Sequence, residues 1–343
     1  MPVQYEPFNT SQDVTTTKTL LHEVIPITGT IVSGTYADGN IKNYTHGMFQ
    51  SVYDYPYLSS SANHIFDITA GYDEASGLSG SSNTQNSKKI NLYNQYAQVL
   101  LGYTGSTADG VRKFENDLAL DGTGAMKEVF FISFSRLITK DQIKKGSFSL
   151  SLGTSSTYAA PFAHAELVLQ DALATERTGY TVAQGGDYGL LFTNSSGTGN
   201  AVGNIFYQAG IAVITASVFG SSAQMNAAGE DTEAVLTGSS ISDSCDALRH
   251  RINNLSFNNT TEINSKIYFC RVPHNKYNYS ANPTYLTGAQ IRVKDVASDT
   301  PIAYITTIGL YSSTGELLAT AKLSEPLRKD PTNELTLRVR LDY

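Results

Sequence analysis

The fold is decided by residues 187–220, DYGLLFTNSSGTGNAVGNIFYQAGIAVITASVFG. Three apolar runs in this stretch, YGLLF, GNIFY and IAVITAS, are separated by segments rich in glycine, serine and asparagine. Short apolar runs bounded by turn-forming residues are typical of β-strands, and short glycine-rich connections join antiparallel neighbours. The stretch therefore predicts an antiparallel β-meander, and its glycine-rich part, Gly197–Gly203, is interpreted as a hairpin turn.

The preceding residues 128–153, EVFFISFSRLITKDQIKKGSFSLSLG, predict a strand, a short helix and a second strand. Gly146 is expected to end the helical part. In the second strand Phe148, Leu150 and Leu152 alternate with serines, which indicates one buried and one solvated face. We expect the two strands to form a β-pair connected by the small helix.

Residues 81–102 contain the clearest helix pattern. Four apolar residues recur at helical spacing and predict one buried face: Ile90, Tyr93, Ala97 and Leu100. Asn86 or Ser87 is expected to cap the start, and Gly102 to close the end.

A second helix is predicted within residues 239–259. Ser242 is its expected N-cap, and Cys245, Leu248 and Ile252 share one face. The following pair of asparagines is expected to break it. Residues 221–240, which are small and polar, predict a surface loop.

The last hundred residues show period-two patterns typical of strands. The predicted strands are 265–272, 288–295, a hairpin at 302–323 and a terminal strand at 334–343. The first 57 residues are rich in Thr, Tyr, Gly and Pro, and Pro26 within a strand-like run favours an edge strand or a break. We interpret this segment as an arm that packs on a neighbouring subunit, with an ordinary first hairpin as the alternative.

These patterns predict a mainly β, sandwich-like fold of antiparallel sheets with two or three short helices, α+β overall. The chain length of 343 residues allows more than one core. The expected division is an N-terminal arm or edge segment (1–58), a mixed α+β domain (59–155), a β-meander domain (156–240), and a C-terminal helix with antiparallel sheet (241–343).

Composition limits the partners. There are 24 Lys and Arg against 31 Asp and Glu, a net charge of −7, and no long basic stretch, so we expect no nucleic-acid partner. The apolar runs are far shorter than a membrane span, and the N-terminus lacks the pattern of a signal peptide, so no membrane partner is expected. Two cysteines, Cys245 and Cys270, form neither a disulfide framework nor a zinc pattern.

Patterns for chemistry are weak. Nucleotide-binding glycine loops and a G-x-S-x-G nucleophile are absent from the sequence, and the H-x-E of His164–Glu166 lacks the cysteines of a deaminase. The carboxylate pairs Asp73–Glu74 and Glu230–Asp231 are the hardest to exclude as glycosidase or calcium-binding groups. We predict no enzymatic activity, no catalytic residue, no cofactor and no metal ligand.

Several stretches together resemble one family. Residues 303–329, AYITTIGLYSSTGELLATAKLSEPLRK, and 333–343, NELTLRVRLDY, resemble the C-terminal region of virion structural proteins from T4-like tailed phages, particularly marine and cyanobacterial myoviruses. Further similar stretches lie at 81–102, 128–150, 203–217 and 257–272, so that the resemblance covers roughly residues 60–343.

This resemblance implies a structural subunit of the virion, assembled in the host cytoplasm, most simply a tail or baseplate component. Its partners are then other virion structural proteins and copies of itself. The alternatives are a neck or capsid-associated structural protein, and a receptor- or glycan-binding tail protein. A structural subunit is expected to show large flat interfaces, whereas a glycan-binding protein is expected to show a groove lined by aromatic and carboxylate side chains.

Overall fold

The computed structural model describes residues 5–28, 38–80, 82–104, 110–164, 166–280, 283–284, 286–288, 290–291, 296, 298 and 300–343. Within these residues the chain is mainly β, with antiparallel sheets and four short α-helices, so the predicted fold class is confirmed. In this same part of the chain no helix combines the length and the apolar character that a membrane crossing requires.

The strands are β1 Val14–Thr28, β2 Ile41–Asn43, β3 Gln50–Tyr53, β4 His64–Tyr72, β5 Glu128–Phe134, β6 Gln142–Ile143, β7 Ser149–Leu152, β8 Leu167–Gln170, β9 Tyr180–Ala183, β10 Gly186–Leu191, β11 Gly203–Phe206, β12 Ile211–Thr215, β13 Ile252–Val272, β14 Leu286–Thr287, β15 Gln290–Ile291, β16 Ala303–Tyr311, β17 Leu317–Lys329 and β18 Leu335–Asp342. The α-helices are α1 Asn86–Leu100, α2 Arg136–Thr139, α3 Thr232–Thr237 and α4 Ile241–Arg251.

The chain divides into two compact units. The larger is Leu21–Thr261, and the smaller combines Met1–Leu20 with Glu262–Tyr343. This differs from the four segments expected from the sequence, because residues 59–155 and 156–240 both contribute strands to one eight-stranded sheet of order β2-β3-β4-β5-β12-β11-β10-β9. Strand β5 is buried on both faces, so its backbone N–H and C=O groups need hydrogen-bond partners along both edges, and β4 and β12 supply them.

The predicted meander is confirmed. Strands β10, β11 and β12 are consecutive antiparallel neighbours, with Leu191 opposite Gly203 and Phe206 opposite Ile211. The glycine-rich stretch Gly197–Gly203 lies at the connection of β10 to β11, as the hairpin interpretation requires. At the other end of the sheet β2 is the edge strand, and β3 lies between it and β4.

The eight-stranded sheet separates two hydrophobic cores of the larger unit, and β5 contributes to both. Its residues Phe130, Ile132 and Phe134 belong to one core, while Val129 and Phe131 belong to the other. The first core is completed by the six-stranded sheet and by α3 and α4, and its members include Phe66, Ile68, Leu150, Leu152, Ile214, Val235, Cys245, Leu248, Leu255 and Phe257. The second is completed by α1 and the segment after it, and its members include Tyr93, Ala97, Leu100, Phe114, Phe206 and Val213.

The expected pairing of β5 with β7 is wrong. Strand β7 pairs with β13 and β8 in the six-stranded sheet, whereas β5 pairs with β4 and β12. The two strands instead face each other across the first core, since the ring of Phe134 lies 6.0 Å from that of Phe148 and 5.2 Å from that of Phe257. The apolar side of β7 is buried as predicted, since Phe148, Leu150 and Leu152 are all buried. The predicted solvated side is wrong, because Ser149 is half-buried and Ser151 is buried.

Helix α1 buries three of the four predicted residues. Tyr93, Ala97 and Leu100 are buried, but Ile90 is only half-buried and Lys89 is buried in its stead. Lys89 can be buried because its ammonium group donates to the carbonyl oxygens of Thr84 and Gly238.

Of the two predicted ends of α1, the C-terminal end is confirmed and the N-cap is wrong. The N-cap is Gln85 and not Asn86 or Ser87, and the Asn86 amide oxygen instead accepts a hydrogen bond from Tyr72. Gly102 has a φ of 85° and donates to the carbonyl of Ala97, so it closes the helix as expected.

Cys245 and Leu248 of helix α4 are buried as predicted, and Ile252 is also buried but is the first residue of β13 rather than part of the helix. The helix begins at Ile241, before the expected cap Ser242, and it ends because β13 starts at Ile252, not because of the asparagine pair. The expected loop 221–240 contains α3, whose N-cap Asp231 accepts a hydrogen bond from the backbone of Ala234.

In the smaller unit the C-terminal hairpin and terminal strand are confirmed. Strands β16 and β17 pair with each other, and β18 pairs with the second half of β13 from Ser265 to Val272. Of the predicted strand 288–295, only 288 and 290–291 lie within the described residues, and Gln290–Ile291 is β15.

Candidate assembly surface and groove

The sequence pattern of the C-terminal hairpin explains its shape. Strand β16 meets β17 from Ala303 opposite Lys329 to Tyr311 opposite Leu317. At the turn, the hydroxyl of Ser312 accepts a hydrogen bond from the backbone of Glu316, and Gly315 adopts a φ of 86°. A glycine suits that position because L-residues with side chains are strained at such a φ.

The base of this hairpin is anchored by Lys329, which is fully buried. Its ammonium group donates to the backbone oxygens of His274 at 3.1 Å and Asp330 at 2.8 Å, and to the Asn278 side chain at 2.7 Å. A buried ammonium requires such partners, since an unpaired one is costly. Sequence reasoning missed this role, because a lysine at the end of a basic segment is typical of a solvated surface.

Beyond the base much of the hairpin is exposed, although Leu310 on β16 is buried. Along β17 exposed and half-buried positions alternate from Leu318 to Ser324, and Leu317 and Leu318 are 52% and 68% exposed. Tyr304 and Tyr311 on β16 are also exposed. We call β16 and β17 together the ribbon.

A groove of about 1190 Å³ lies beside the ribbon within the smaller unit. Its lining includes Tyr5, Glu6, Asp13, Arg271, Tyr304 and Tyr311. The rings of Tyr5 and Tyr311 meet edge to face with centroids 4.9 Å apart.

The carboxylates of the groove are held in ion pairs. Asp13 lies 2.6 Å from the guanidinium of Arg271, and Glu6 lies 2.5 Å from the ammonium of Lys276. Both groove carboxylates therefore face a cation rather than each other.

The carboxylate pairs singled out in the sequence have structural partners. Asp73 is buried 2.9 Å from the ammonium of Lys113, while Glu74 is exposed. Glu230 accepts a hydrogen bond from the side chain of Asn226, and Asp231 caps α3. None of these contacts brings two carboxylates together for catalysis among the residues described.

The H-x-E candidate also has structural contacts. Glu166 accepts hydrogen bonds from Ser151 and from Asn253, which joins β7 to the start of β13. His164 is exposed, and Ala165 lies outside the described residues.

Comparison of the chain with protein-family models, with curated proteins and with solved structures finds no match.

Proposed function

We propose that this chain is a non-enzymatic structural subunit of a tailed-phage virion, assembled through interfaces that include the ribbon. The observation that carries the proposal is the exposure of the ribbon, whose strands of nine and thirteen residues pair with each other and, among the residues that the structure describes, with no further strand. A two-stranded sheet is marginally stable in water unless something covers it.

The edges of the ribbon favour a protein partner. Strands at a sheet edge offer backbone N–H and C=O groups to another chain, and proteins usually protect such edges. The ribbon instead carries apolar side chains at Leu317 and Leu318 that remain exposed. Addition of a strand from a neighbouring subunit would pair the backbone and cover these side chains.

Strand β1 offers a second surface of the same kind. It lies at one end of the path β1-β13-β7-β8 in the six-stranded sheet, and Leu20, Leu21 and Val24 on it are exposed. Exposed apolar side chains on an edge strand are a recognised liability in a monomer. Both surfaces support multimeric assembly through copies of this chain or other virion proteins.

The assignment to a virion tail or baseplate rests on the sequence resemblance of residues 303–329 and 333–343. A neck or capsid-associated position in the same particle is the alternative. Cryo-electron microscopy and mass spectrometry of particles from the phage that encodes the chain test both. We expect the chain at a fixed copy number with the ribbon in an interface, and absence of the chain from purified particles would overturn the proposal.

Self-assembly is tested in the purified chain. The double variant Leu317→Lys and Leu318→Lys adds charge to the ribbon, and Val182→Lys is the matched control, since Val182 on β9 is 70% exposed. In analytical ultracentrifugation we expect the ribbon variant to lose the association that wild type and control retain. If all three sediment alike as oligomers, the ribbon is not the interface between copies.

The groove favours a second candidate, a receptor- or glycan-binding tail protein. Tyrosine rings such as Tyr5 and Tyr311 beside polar groups are a surface on which a sugar ring can stack. A glycan array followed by titration calorimetry tests it, with Tyr311→Ala as the variant and the exposed Tyr55→Ala as control. Binding lost only in Tyr311→Ala would favour this function, and absence of binding to any glycan would remove it.

A further inference from the structure

Three carboxylates converge in the loop after α1. Oxygen atoms of Glu115, Asp117 and Asp121 all lie within 4.8 Å of one another. The loop is closed at its base, where Glu115 and Ala125 form an antiparallel bridge and Asn116 donates to the carbonyl of Gly124 at 3.0 Å.

The loop backbone explains the convergence. Both oxygens of Glu115 accept hydrogen bonds from the loop, one from the amide of Asp121 and one from that of Gly122, each at 3.0 Å. Leu120 has a φ of 53°, which turns the chain back so that Asp121 returns to Glu115. An ionised carboxylate offers about four lone pairs, so these two bonds leave Glu115 able to accept more.

Two cations precede the loop in the chain. The ammonium group of Lys113 lies 2.9 Å from Asp73, and the guanidinium of Arg112 donates to the backbone oxygen of Leu120 at 3.4 Å. Three carboxylates at this separation repel one another unless a proton or a cation is shared among them.

A second, independent observation comes from the sheet beneath the loop. Asn204 on β11 and Tyr188 on β10 are each only 1% exposed, yet the Asn204 Oδ1 and the Tyr188 hydroxyl have no hydrogen-bond partner within the described residues. Buried polar groups are nearly always satisfied, so each such atom calls for a partner.

The Asn204 side chain points towards the loop, and Tyr188 lies on the same face of the sheet. The amide nitrogen of Asn204 donates to the backbone oxygen of Glu115 at 3.1 Å, which fixes the orientation of the amide and keeps its oxygen beside the loop. Tyr188 stacks on Phe206, which shares the second core with Phe114, the residue before Glu115. The Tyr188 phenol carries an O–H, which can donate to a carboxylate of the loop or to a water bound there.

We propose that Glu115, Asp117, Asp121 and the amide oxygen of Asn204 bind a calcium ion, with Tyr188 donating a hydrogen bond to a carboxylate or a bound water. All these donors are oxygens, which hard divalent cations prefer. An irregular loop of carboxylates with an amide oxygen suits the flexible coordination of Ca²⁺ better than the strict octahedron of Mg²⁺. The inference is independent of the proposed function.

No metal ligand is predicted by the sequence analysis, because the proposed donors match no metal-binding motif in the sequence. The spacing of the three acids differs from the D-x-D-x-D-G calcium loop, and Asn204 lies 89 positions from Glu115 in the chain. Only the fold of the meander under the loop brings these donors together.

The test uses the full chain, stripped with a chelator and dialysed. Titration calorimetry with calcium chloride is expected to show one ion per chain, and thermal unfolding is expected to shift to higher temperature in millimolar calcium, since a ligand that binds only the folded state stabilises it. Magnesium at the same concentration is expected to shift it less. An equal shift with magnesium would refute the calcium assignment.

Variants distinguish a loop that binds calcium from a loop of surface carboxylates that does not. Asp121→Asn, at an exposed position, is expected to weaken binding at least tenfold, while the exposed Glu74→Gln leaves it unchanged. Terbium bound at the site is expected to luminesce on tyrosine excitation, and Tyr188→Phe is expected to reduce that emission. If calcium gives neither heat nor a thermal shift, or if Asp121→Asn binds as wild type does, the proposal fails.

Discussion

The hydroxyl of Tyr207 donates a hydrogen bond of 3.1 Å to the carboxylate of Asp171 in the interior of the larger unit. Asp171 follows β8 of the six-stranded sheet, and Tyr207 follows β11 of the eight-stranded sheet. The same carboxylate accepts hydrogen bonds from the backbone of Gly146 at 2.6 Å and of Phe148 at 3.0 Å. One buried acid therefore links the two sheets and the turn before β7.

This acid makes stability depend on pH. Burial raises the pKa of Asp171 from 3.8 to about 6, although its three hydrogen bonds oppose the rise. Because the folded-state pKa is the higher one, the stabilisation is fully present below about pH 4 and is lost as pH rises through about 6. A shift of this size corresponds to on the order of 3 kcal/mol.

Urea unfolding of wild type and Asp171→Asn between pH 4 and 7 measures the effect. Subtracting the variant removes the opposite contributions of acids with lowered pKa, such as Asp54 and Asp342. We expect the stability of wild type relative to the variant to fall across this window. A difference that is constant with pH would contradict the assignment to Asp171.

Arg251 is predicted to be essential for stability. Its guanidinium is fully buried and donates to the carbonyl oxygens of Gly153, Ser155 and Gln224 at 2.7–2.9 Å. Arg251→Met would leave these buried acceptors unsatisfied, so we expect a loss of more than about 2 kcal/mol in free energy of unfolding. The exposed Arg177→Met is the control, and equal stability of the two variants would argue against this role.

The buried face of α1 gives a third prediction. Leu100 is fully buried in the second core, while its neighbour Val99 is 66% exposed. Leu100→Ala is expected to cost about 2–5 kcal/mol, and Val99→Ala close to nothing. Thermal or urea unfolding compares them, and an unchanged melting temperature in Leu100→Ala would show that this helix face does not support the core.

Hydrogen exchange is predicted to divide the N-terminal segment. Strand β3 lies between β2 and β4, and Val52 on it is fully buried, so its amides are expected to exchange slowly in the purified chain. Strand β1 is an exposed edge and is expected to exchange fast alone and slowly in the particle. Slow exchange along β1 in a monomer would remove it as an assembly element.

The purified chain is expected to hydrolyse neither polysaccharide, peptidoglycan nor ester substrates. The two groove carboxylates, Glu6 and Asp13, are paired with cations rather than with each other. Turnover of any of these substrates that disappears in Glu6→Gln or Asp13→Asn would show that the groove is an active site.

The sequence patterns predicted the positions of the strands better than they predicted which strands pair with each other. The meander and the C-terminal hairpin follow from local alternation and turn residues, and both were predicted. The separation of β5 and β7 into different sheets was not, because alternation tells which side of a strand is buried but not against what. Lys89 and Lys329 were missed for a related reason, since their carbonyl partners are set by distant turns.

The proposed calcium site shows the same limit. Glu115, Asp117 and Asp121 are close in sequence and could be noticed, but three acids in a polar loop are common on surfaces. The atoms that distinguish this loop from an ordinary acidic surface loop belong to Asn204 and Tyr188. The sequence predicts these two residues only as parts of the strands of the meander.

The two-sided burial of β5 has a consequence for how the chain finds its register. A slip by one residue normally moves apolar side chains into water, and this polarity penalty corrects the error. In β5 such a slip would only exchange Phe130 and Phe131 between two apolar cores. The one polar residue within the strand's apolar run is Ser133, whose hydroxyl lies 3.1 Å from that of Tyr96 on α1. The register of β5 during folding therefore depends on the shapes of its apolar side chains and on Ser133. Off-register kinetic traps are for this reason an intrinsic hazard of this sequence.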